Sequence, residues 1–310
     1  MGGLCHIETY SSRDEWLRAR RMGIGASDAA AIVGVSPFAS PLDIYADKIG
    51  VGPDRPDETE AMYWGHALEV PIRQRYIEVT GRDVETPPPW QITRSLNHES
   101  WLFATLDGTI TQADRRPTPA PLELKTVGAD PRKVVATWMA EGPSLPYVVQ
   151  VQHQMMVTGA SWASLAALVG GNRFIWMDVE RDEKFILALH GALERFWRRV
   201  VDQDPPPPQR RDRATLERLF PRSLPSLTVS LPSEMVELDT QREKALEEIK
   251  YYEGVKLEVE NKFRAAIGDA ESGQLANGAI YTWKHQERKE HVVPASSFRV
   301  LRRFGYAETE

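Results

Sequence analysis

Four consecutive prolines, Pro205–Pro208, constrain this chain more than any other stretch of it. Proline fixes φ and lacks a backbone N–H, so neither a helix interior nor a central strand can run through such a block. Secondary structure must stop before it and restart beyond it. The 310 residues therefore divide into a domain over 1–204, a proline-rich linker over 205–231 and an extension over 232–310. The first part is long enough to bury a single sizeable core. The extension reads as one long helix over 232–267, because Met235, Leu238, Ala245, Ile249, Tyr252, Val259, Phe263 and Ile267 recur at three- and four-residue steps. An alternating, strand-like piece follows at 277–293.

Before the prolines, the pattern alternates between helix and strand. Ser12 and Glu15 form a capping box that opens a helix through Arg21. The glycines of "GIGAS" break it, and Ser27 or Asp28 opens the next helix. "SPLDIYADKIG" is a further helix ended by Gly50. After a polar loop at 51–57, a single long helix is expected over about 58–80, closed by Gly81. Strands are expected at "RDVET", "WQIT", "WLFATLDGTIT" (101–112) and "LELKT". A helix follows at 145–159, then a hairpin of "WASLAALV" and "RFIWMDVE" about "GGN", then an amphipathic helix at 181–204. This order predicts an α/β (α+β) fold, with a central mixed β-sheet flanked by helices and a helical C-terminal extension.

Composition narrows the function classes. Hydrophobic residues make up 42% and charged residues 26%, and nine Trp and nine Tyr argue against disorder. The longest apolar stretch, 161–171, is too short to span a bilayer. "MGGLCHIETYSSRDEW" has no secretory pattern, and His6 stands where a myristoylation signal needs Ser or Thr. A cytoplasmic location with no membrane partner is the expectation. One cysteine, Cys5, excludes an intrachain disulfide framework, a four-cysteine zinc site or an iron–sulfur cluster. The net charge is −6, yet "RDEWLRARR", "RFWRRV" and "RRDR" are locally basic and can hold a phosphate backbone.

The chemistry centres on "PLELKT". Side chains alternate across a strand, so Glu123 and Lys125 share one face and Leu122, Leu124 and Thr126 the other. If 101–112 and 120–126 pair as a hairpin about residue 115, Asp107 falls opposite Glu123, about 5 Å away. Opposed carboxylates repel, and a divalent cation relieves them; an oxygen-only set favours Mg²⁺, with Mn²⁺ as a substitute. Glu69, on the helix before, is a third carboxylate. Tyr147, Gln150 and Gln154 lie a turn apart on one helix face. That face packs on the metal cluster or a bound phosphate, or else it is simply wet; Tyr147 and Gln154 stand as substrate-binding candidates. Asp107, Glu123 and Glu69 holding one or two Mg²⁺, with Lys125 beside the attacking water, describe phosphodiester hydrolysis.

"LDG" followed by "LELK" resembles the core of the PD-(D/E)XK nucleases, whose fold is that of the restriction endonucleases. "WLRARRMGIGASDAAAIVG", "WGHALE", "YVVQVQHQM" and "VERDEKF" narrow the resemblance to the lambda-exonuclease-like, or YqaJ viral recombinase, branch over about residues 10–202. The resemblance implies metal ligation by Glu69, Asp107, Glu123 and the backbone carbonyl of Leu124, with Lys125 as the catalytic lysine. It makes Gln150 the active-site glutamine and matches Arg20 and Ser27 to residues that hold a DNA 5′-phosphate. Leu106 stands where the family often has proline. The function implied is an Mg²⁺-dependent 5′→3′ exonuclease on linear double-stranded DNA, leaving 3′ single-stranded tails for recombination. A homotrimeric ring and a single-strand annealing partner are the implied partners. An endonuclease of the same superfamily, or an inactive DNA-binding scaffold, is the alternative.

Overall fold

A computed structural model of the chain describes residues 5–52, 59–95, 100–128, 130–287 and 299–303. The expected loop at 51–57 and the end of the expected strand at 277–293 fall partly outside the described residues. Two compact units emerge, Met1–Pro221 and Arg222–Glu310.

The first unit begins with strand β1 (Cys5–Thr9) and helix α1 (Arg13–Arg21). Ser12 caps α1, its hydroxyl accepting from the Glu15 N–H, but the expected box does not close, since the Glu15 carboxylate accepts from the Ser11 N–H instead. "GIGAS" is more than a break. Ile24 bridges to Leu102, its N–H donating to the Trp101 carbonyl at 2.6 Å and its carbonyl accepting from the Phe103 N–H at 3.1 Å. A Cβ on Gly23 would lie 2.3 Å from the Trp101 carbonyl oxygen, so only glycine allows this approach. Helix α2 (Ala26–Ile32) follows, with Asp28 accepting from the Gly25 N–H. Helix α3 (Pro41–Lys48) is boxed by Ser40 and Asp43.

The single helix expected over 58–80 is two, α4 (Glu60–Ala67) and α5 (Glu69–Thr80), jointed at Leu68. Pro71 explains the joint. Proline cannot donate to the carbonyl four residues back and its ring crowds that carbonyl, which here belongs to Ala67, the last residue of α4. Glu69 therefore opens a helix instead of sitting inside one. Gly81 ends α5 in the left-handed region, at φ +67°.

The expected strand at 101–112 is also two. Strand β2 (Asp83–Glu85) and β3 (Gln91–Ser95) precede β4 (Phe103–Ala104), β5 (Gly108–Gln112) and β6 (Ala120–Val127). Strand β4 joins a small antiparallel sheet in the order β1-β3-β4, and β5 joins the main sheet. Residues 105–107 make the crossing between sheets. The β5–β6 register pairs Gly108 with Leu122 and Ile110 with Ala120, the hairpin centred on 115 that the sequence predicts. Arg115 takes φ +56° in its turn.

After β6 come α6 (Pro131–Glu141), α7 (Leu145–Thr158), β7 (Trp162–Val169), β8 (Arg173–Glu180) and α8 (Glu183–Asp202). The five-stranded sheet runs β2-β5-β6-β7-β8, parallel only between β6 and β7, so it is mixed. Ile72 and Tyr76 of α5 pack with Leu122, Leu124 and Ala166 on one face. Trp138 of α6 and Tyr147 of α7 pack with Leu165, Ala167 and Val169 on the other. Alternation along β6 and β7 thus gives each helix layer its own core. A third cluster joins α2, α7 and α8 through Ala29, Met155, Leu189 and Leu193.

The prolines do not end this unit. Beyond them, inside the expected linker, α9 (Arg213–Leu219) packs back on α3. The Arg211 guanidinium donates to the Pro37 carbonyl at 2.8 Å, and the Thr215 hydroxyl donates to Asp43. The second unit holds α10 (Met235–Ile267), the expected long helix, and a hairpin of β9 (Ser272–Gln274) and β10 (Ile280–Thr282). Tyr281 stacks on Phe263 with ring centroids 4.1 Å apart.

Candidate active site

Strand β6 builds the site because its partner β5 stops short. Pairing ends at Gly108–Leu122, which leaves the β6 edge beyond it without a strand. Asp107 fills that gap, its Oδ2 accepting from the Leu124 N–H at 2.8 Å. In a ladder, one residue's N–H and C=O point to the same edge, so the Leu124 carbonyl is directed to the side where Asp107 stands. Gly108 keeps this corner close-packed, since a Cβ would lie 2.9 Å from Val84 Cγ1 and force that side chain to shift. Arg73, on α5 one turn after Glu69, donates from Nη2 to the Asp107 carbonyl at 2.9 Å and fixes the turn.

Glu123 leaves the opposite face to Leu122 and Leu124 and is 1% exposed. Its Oε1 meets Lys125 Nζ at 2.5 Å and the Gln150 amide at 2.6 Å. Its Oε2 accepts from the Gln154 amide at 2.5 Å. The expected face of α7 does turn inward: Tyr147 lies 5.7 Å below the Lys125 ammonium, and Gln150 and Gln154 both reach Glu123. Gln154 has no exposed surface, so its amide faces Glu123 and cannot meet solvent or substrate as placed.

The charges sense one another. Burial pushes the Asp107 carboxyl well above its usual range, and Glu123 pushes it further, against the pull of Lys125. Burial also raises the half-buried Glu69, opposed by His66 and Arg73 and reinforced by Glu123. Burial alone would lower Lys125, but Glu123 and Asp107 outweigh it and leave the amine above its ordinary value. Glu69, Asp107, Glu123 and Lys125 thus share one electrostatic neighbourhood. Among the described residues no three His, Cys, Asp or Glu side chains stand ready to hold a metal ion, and protein donors take both oxygens of Glu123 and one of Asp107. The donor chemistry still fits a hard divalent cation. Burial and the Glu123 charge raise both Asp107 and Glu69, a divalent cation among them would relieve that charge, and every candidate ligand is oxygen.

A second cluster lies upstream. Arg20, at the end of α1, donates to Thr105 Oγ1 at 3.1 Å and Ser27 Oγ at 3.0 Å, so the structure brings Arg20 and Ser27 together. Its guanidinium rests 4.7 Å from the Trp16 ring centroid and 5.4 Å from that of Phe103. Beneath it, the buried Lys48 ammonium donates to the Arg20 carbonyl at 3.0 Å and to Asp28 at 2.7 Å. Ser27 is the second residue of the seven-residue α2, with Gly25 as the cap. Thr105 stands two residues before Asp107 and ties the clusters together.

Sequence reasoning missed Arg73, Thr105 and Lys48. Arg73 was legible as the i+4 partner of Glu69; the others act across the fold and left no local signal.

The profile of the YqaJ-like viral recombinase domain matches residues 15–161. The chain is 31% identical over 273 residues to a Bacillus subtilis (strain 168) protein titled "Uncharacterized protein YqaJ", spanning 86% of this chain and 82% of that one. Among solved structures it is similar to an alkaline exonuclease from Laribacter hongkongensis, with TM-score 0.49 and 21% identity, over 62% of this chain and 94% of that one. It is also similar to a phage related exonuclease from Haemophilus somnus 129PT, with TM-score 0.41 and 11% identity, over 58% and 96% of the two chains.

Proposed function

The chain belongs to the YqaJ-like viral recombinase family, and from that premise we propose that it is an Mg²⁺-dependent deoxyribonuclease. It degrades linear double-stranded DNA from 5′-phosphorylated ends, 5′ to 3′, and leaves 3′ single-stranded tails for recombination. One observation carries this reading: Asp107, Glu123 and Lys125 meet where β5 releases the edge of β6, with Glu69 in the same field. Glu69, Asp107, Glu123 and the Leu124 carbonyl would hold Mg²⁺, or Mn²⁺ in its place. When bound, such an ion polarises the scissile phosphate and neutralises the leaving alkoxide.

The residues themselves do the rest. Lys125, held as an ammonium against Glu123, orients the attacking water and stabilises charge on the phosphate in flight. Gln150 shares Glu123 Oε1 with Lys125, so it sits at the oxygen Glu123 would offer to the ion, and Tyr147 backs the lysine. Arg20 and Ser27 present a guanidinium and a hydroxyl 3.0 Å apart, a pair suited to a terminal phosphate. That pair favours an exonuclease over an endonuclease. Work on DNA ends fits a cytoplasmic location; no helix among the described residues is long and apolar enough to cross a membrane. A homotrimeric ring with its basic clusters inward, acting beside an annealing protein, would keep an acidic chain on its substrate.

End-labelled linear and covalently closed circular duplexes, each with and without Mg²⁺, test the reading. Loss of label from the linear duplex alone, and only with the metal, is expected. Nicking of the circle at a similar rate would make the protein an endonuclease, and inertness toward both would leave a DNA-binding scaffold.

A further inference from the structure

We infer that Gln154 is a positioning residue: its amide pins Oε2 of Glu123, so that Oε1 is the oxygen Glu123 offers to a divalent cation. The inference rests on the nuclease reading and deepens it. Three donors hold Glu123, and they are not equivalent. Lys125 and Gln150, both on Oε1, are half-buried and can turn aside when a cation arrives. Gln154, alone on Oε2 at 2.5 Å, is fully buried and has nowhere else to go.

Its backbone is equally fixed, because its neighbours on α7 are clamped. Gln152 donates to the Glu180 carbonyl at 2.8 Å and accepts from the Asp182 N–H at 3.1 Å. His153 Nε2 shares a hydrogen bond with the Phe103 carbonyl at 2.9 Å. The amide cannot flip either. Its Oε1 meets no protein donor, and a flip would aim that acceptor at a carboxylate. A buried acceptor left unmet is costly, and an apolar side chain of equal length would avoid the cost while keeping the packing. The bond to Glu123 is what the glutamine adds. A carboxylate already oriented needs less rearrangement to take up a cation, and removing such outer partners typically weakens metal binding about 10- to 100-fold.

Full-length Gln154→Met keeps length and removes the donor. Three quantities are measured beside the unmutated protein: thermal melting, Mn²⁺ affinity by calorimetry without DNA, and steady-state hydrolysis of a 5′-phosphorylated duplex. The expected result is a melting temperature within a few degrees, an Mn²⁺ dissociation constant raised about tenfold or more, and kcat lowered with KM for DNA unchanged. Unaltered Mn²⁺ affinity and kcat in an otherwise active enzyme overturn the inference while leaving the nuclease reading intact. A raised KM with kcat kept also overturns it, in favour of direct substrate contact. If the unmutated protein neither binds Mn²⁺ nor cleaves, both readings fall together. Should Gln154→Met not fold, Gln154→Asn, one methylene too short to reach Glu123, carries the same expectations. Failure of both to fold makes the residue purely structural and ends the proposal.

Discussion

His153 should make this fold labile to mild acid. The ring has no exposed surface, its Nε2 shares a hydrogen bond with the Phe103 carbonyl, and its Nδ1 has no partner among the described residues. Burial drives its pKa from 6.5 down to about 4, against the opposing pull of the Phe103 carbonyl and of Asp28, the facing charge. The unfolded chain therefore binds a proton more readily than the native one between those two values, and stability falls as pH falls through that window. The full difference of about 2.5 units corresponds to roughly 3.4 kcal/mol at about 1.36 kcal/mol per unit. Integrated between about pH 7.5 and pH 5, the loss is about 2 kcal/mol. Urea unfolding of the native chain and of His153→Gln at both pH values isolates this contribution from the other histidines. The native chain should lose about 2 kcal/mol more than the variant on going to pH 5. Equal losses in the two proteins would refute the argument, because the ring would then be titrating as freely folded as unfolded.

Glu123→Gln should retain the fold and DNA binding yet abolish hydrolysis, and Lys125→Ala should cut turnover with little effect on metal affinity by calorimetry. Lost metal binding in Lys125→Ala would make the lysine structural. Arg20→Ala and Ser27→Ala should erase a preference for 5′-phosphorylated over 5′-hydroxyl ends in a degradation assay; an unmutated protein that shows no such preference removes the anchor. Lys48→Met strands the Asp28 carboxylate, which Lys48 and Arg20 hold below its usual pKa against burial. It should cost about 3–5 kcal/mol in chemical unfolding, with part of that loss recovered in Lys48→Met/Asp28→Asn. Light scattering at micromolar concentration should give about three chain masses, with degradation continuing after excess competitor DNA is added; a processive monomer contradicts the ring.

What the sequence disclosed were features written within a few residues of one another. The β5–β6 hairpin was legible because an Asp-Gly step, a proline-rich turn and an alternating strand lie in succession, and its observed register places Gly108 against Leu122 as the turn centre requires. The α4–α5 joint was legible too, in Pro71, though periodicity across Leu68 masks it. Helix α6 had its signal in Asp130 followed by Pro131 at the first turn, but Val134, Val135 and Thr137 dilute the helical pattern. Strand β1 carried almost none. Its five residues are mostly exposed and become a strand only by pairing with β3, some ninety residues away in sequence, Cys5 against Ser95. The same holds for the bridge between Ile24 and Leu102, and for α9, which returns across the prolines to reach Asp43.

The candidate site divides along the same line, with one further lesson in α7. Helical spacing puts Tyr147, Gln150 and Gln154 on one face, and of that face Gln150 and Gln154 meet Glu123 while Tyr147 meets Lys125. Spacing fixes azimuth, however, and says nothing of depth. Strand β6 enters the layer between α5 and α7, so residues farther along α7 sink progressively: Tyr147 and Gln150 stay half-buried while Gln154 loses all its exposed surface. Depth decides what a glutamine can do. At the rim, an amide can exchange Glu123 for water or another polar group. At the bottom it can only hold the carboxylate, and two chemically identical side chains one turn apart acquire different work from the layer they enter.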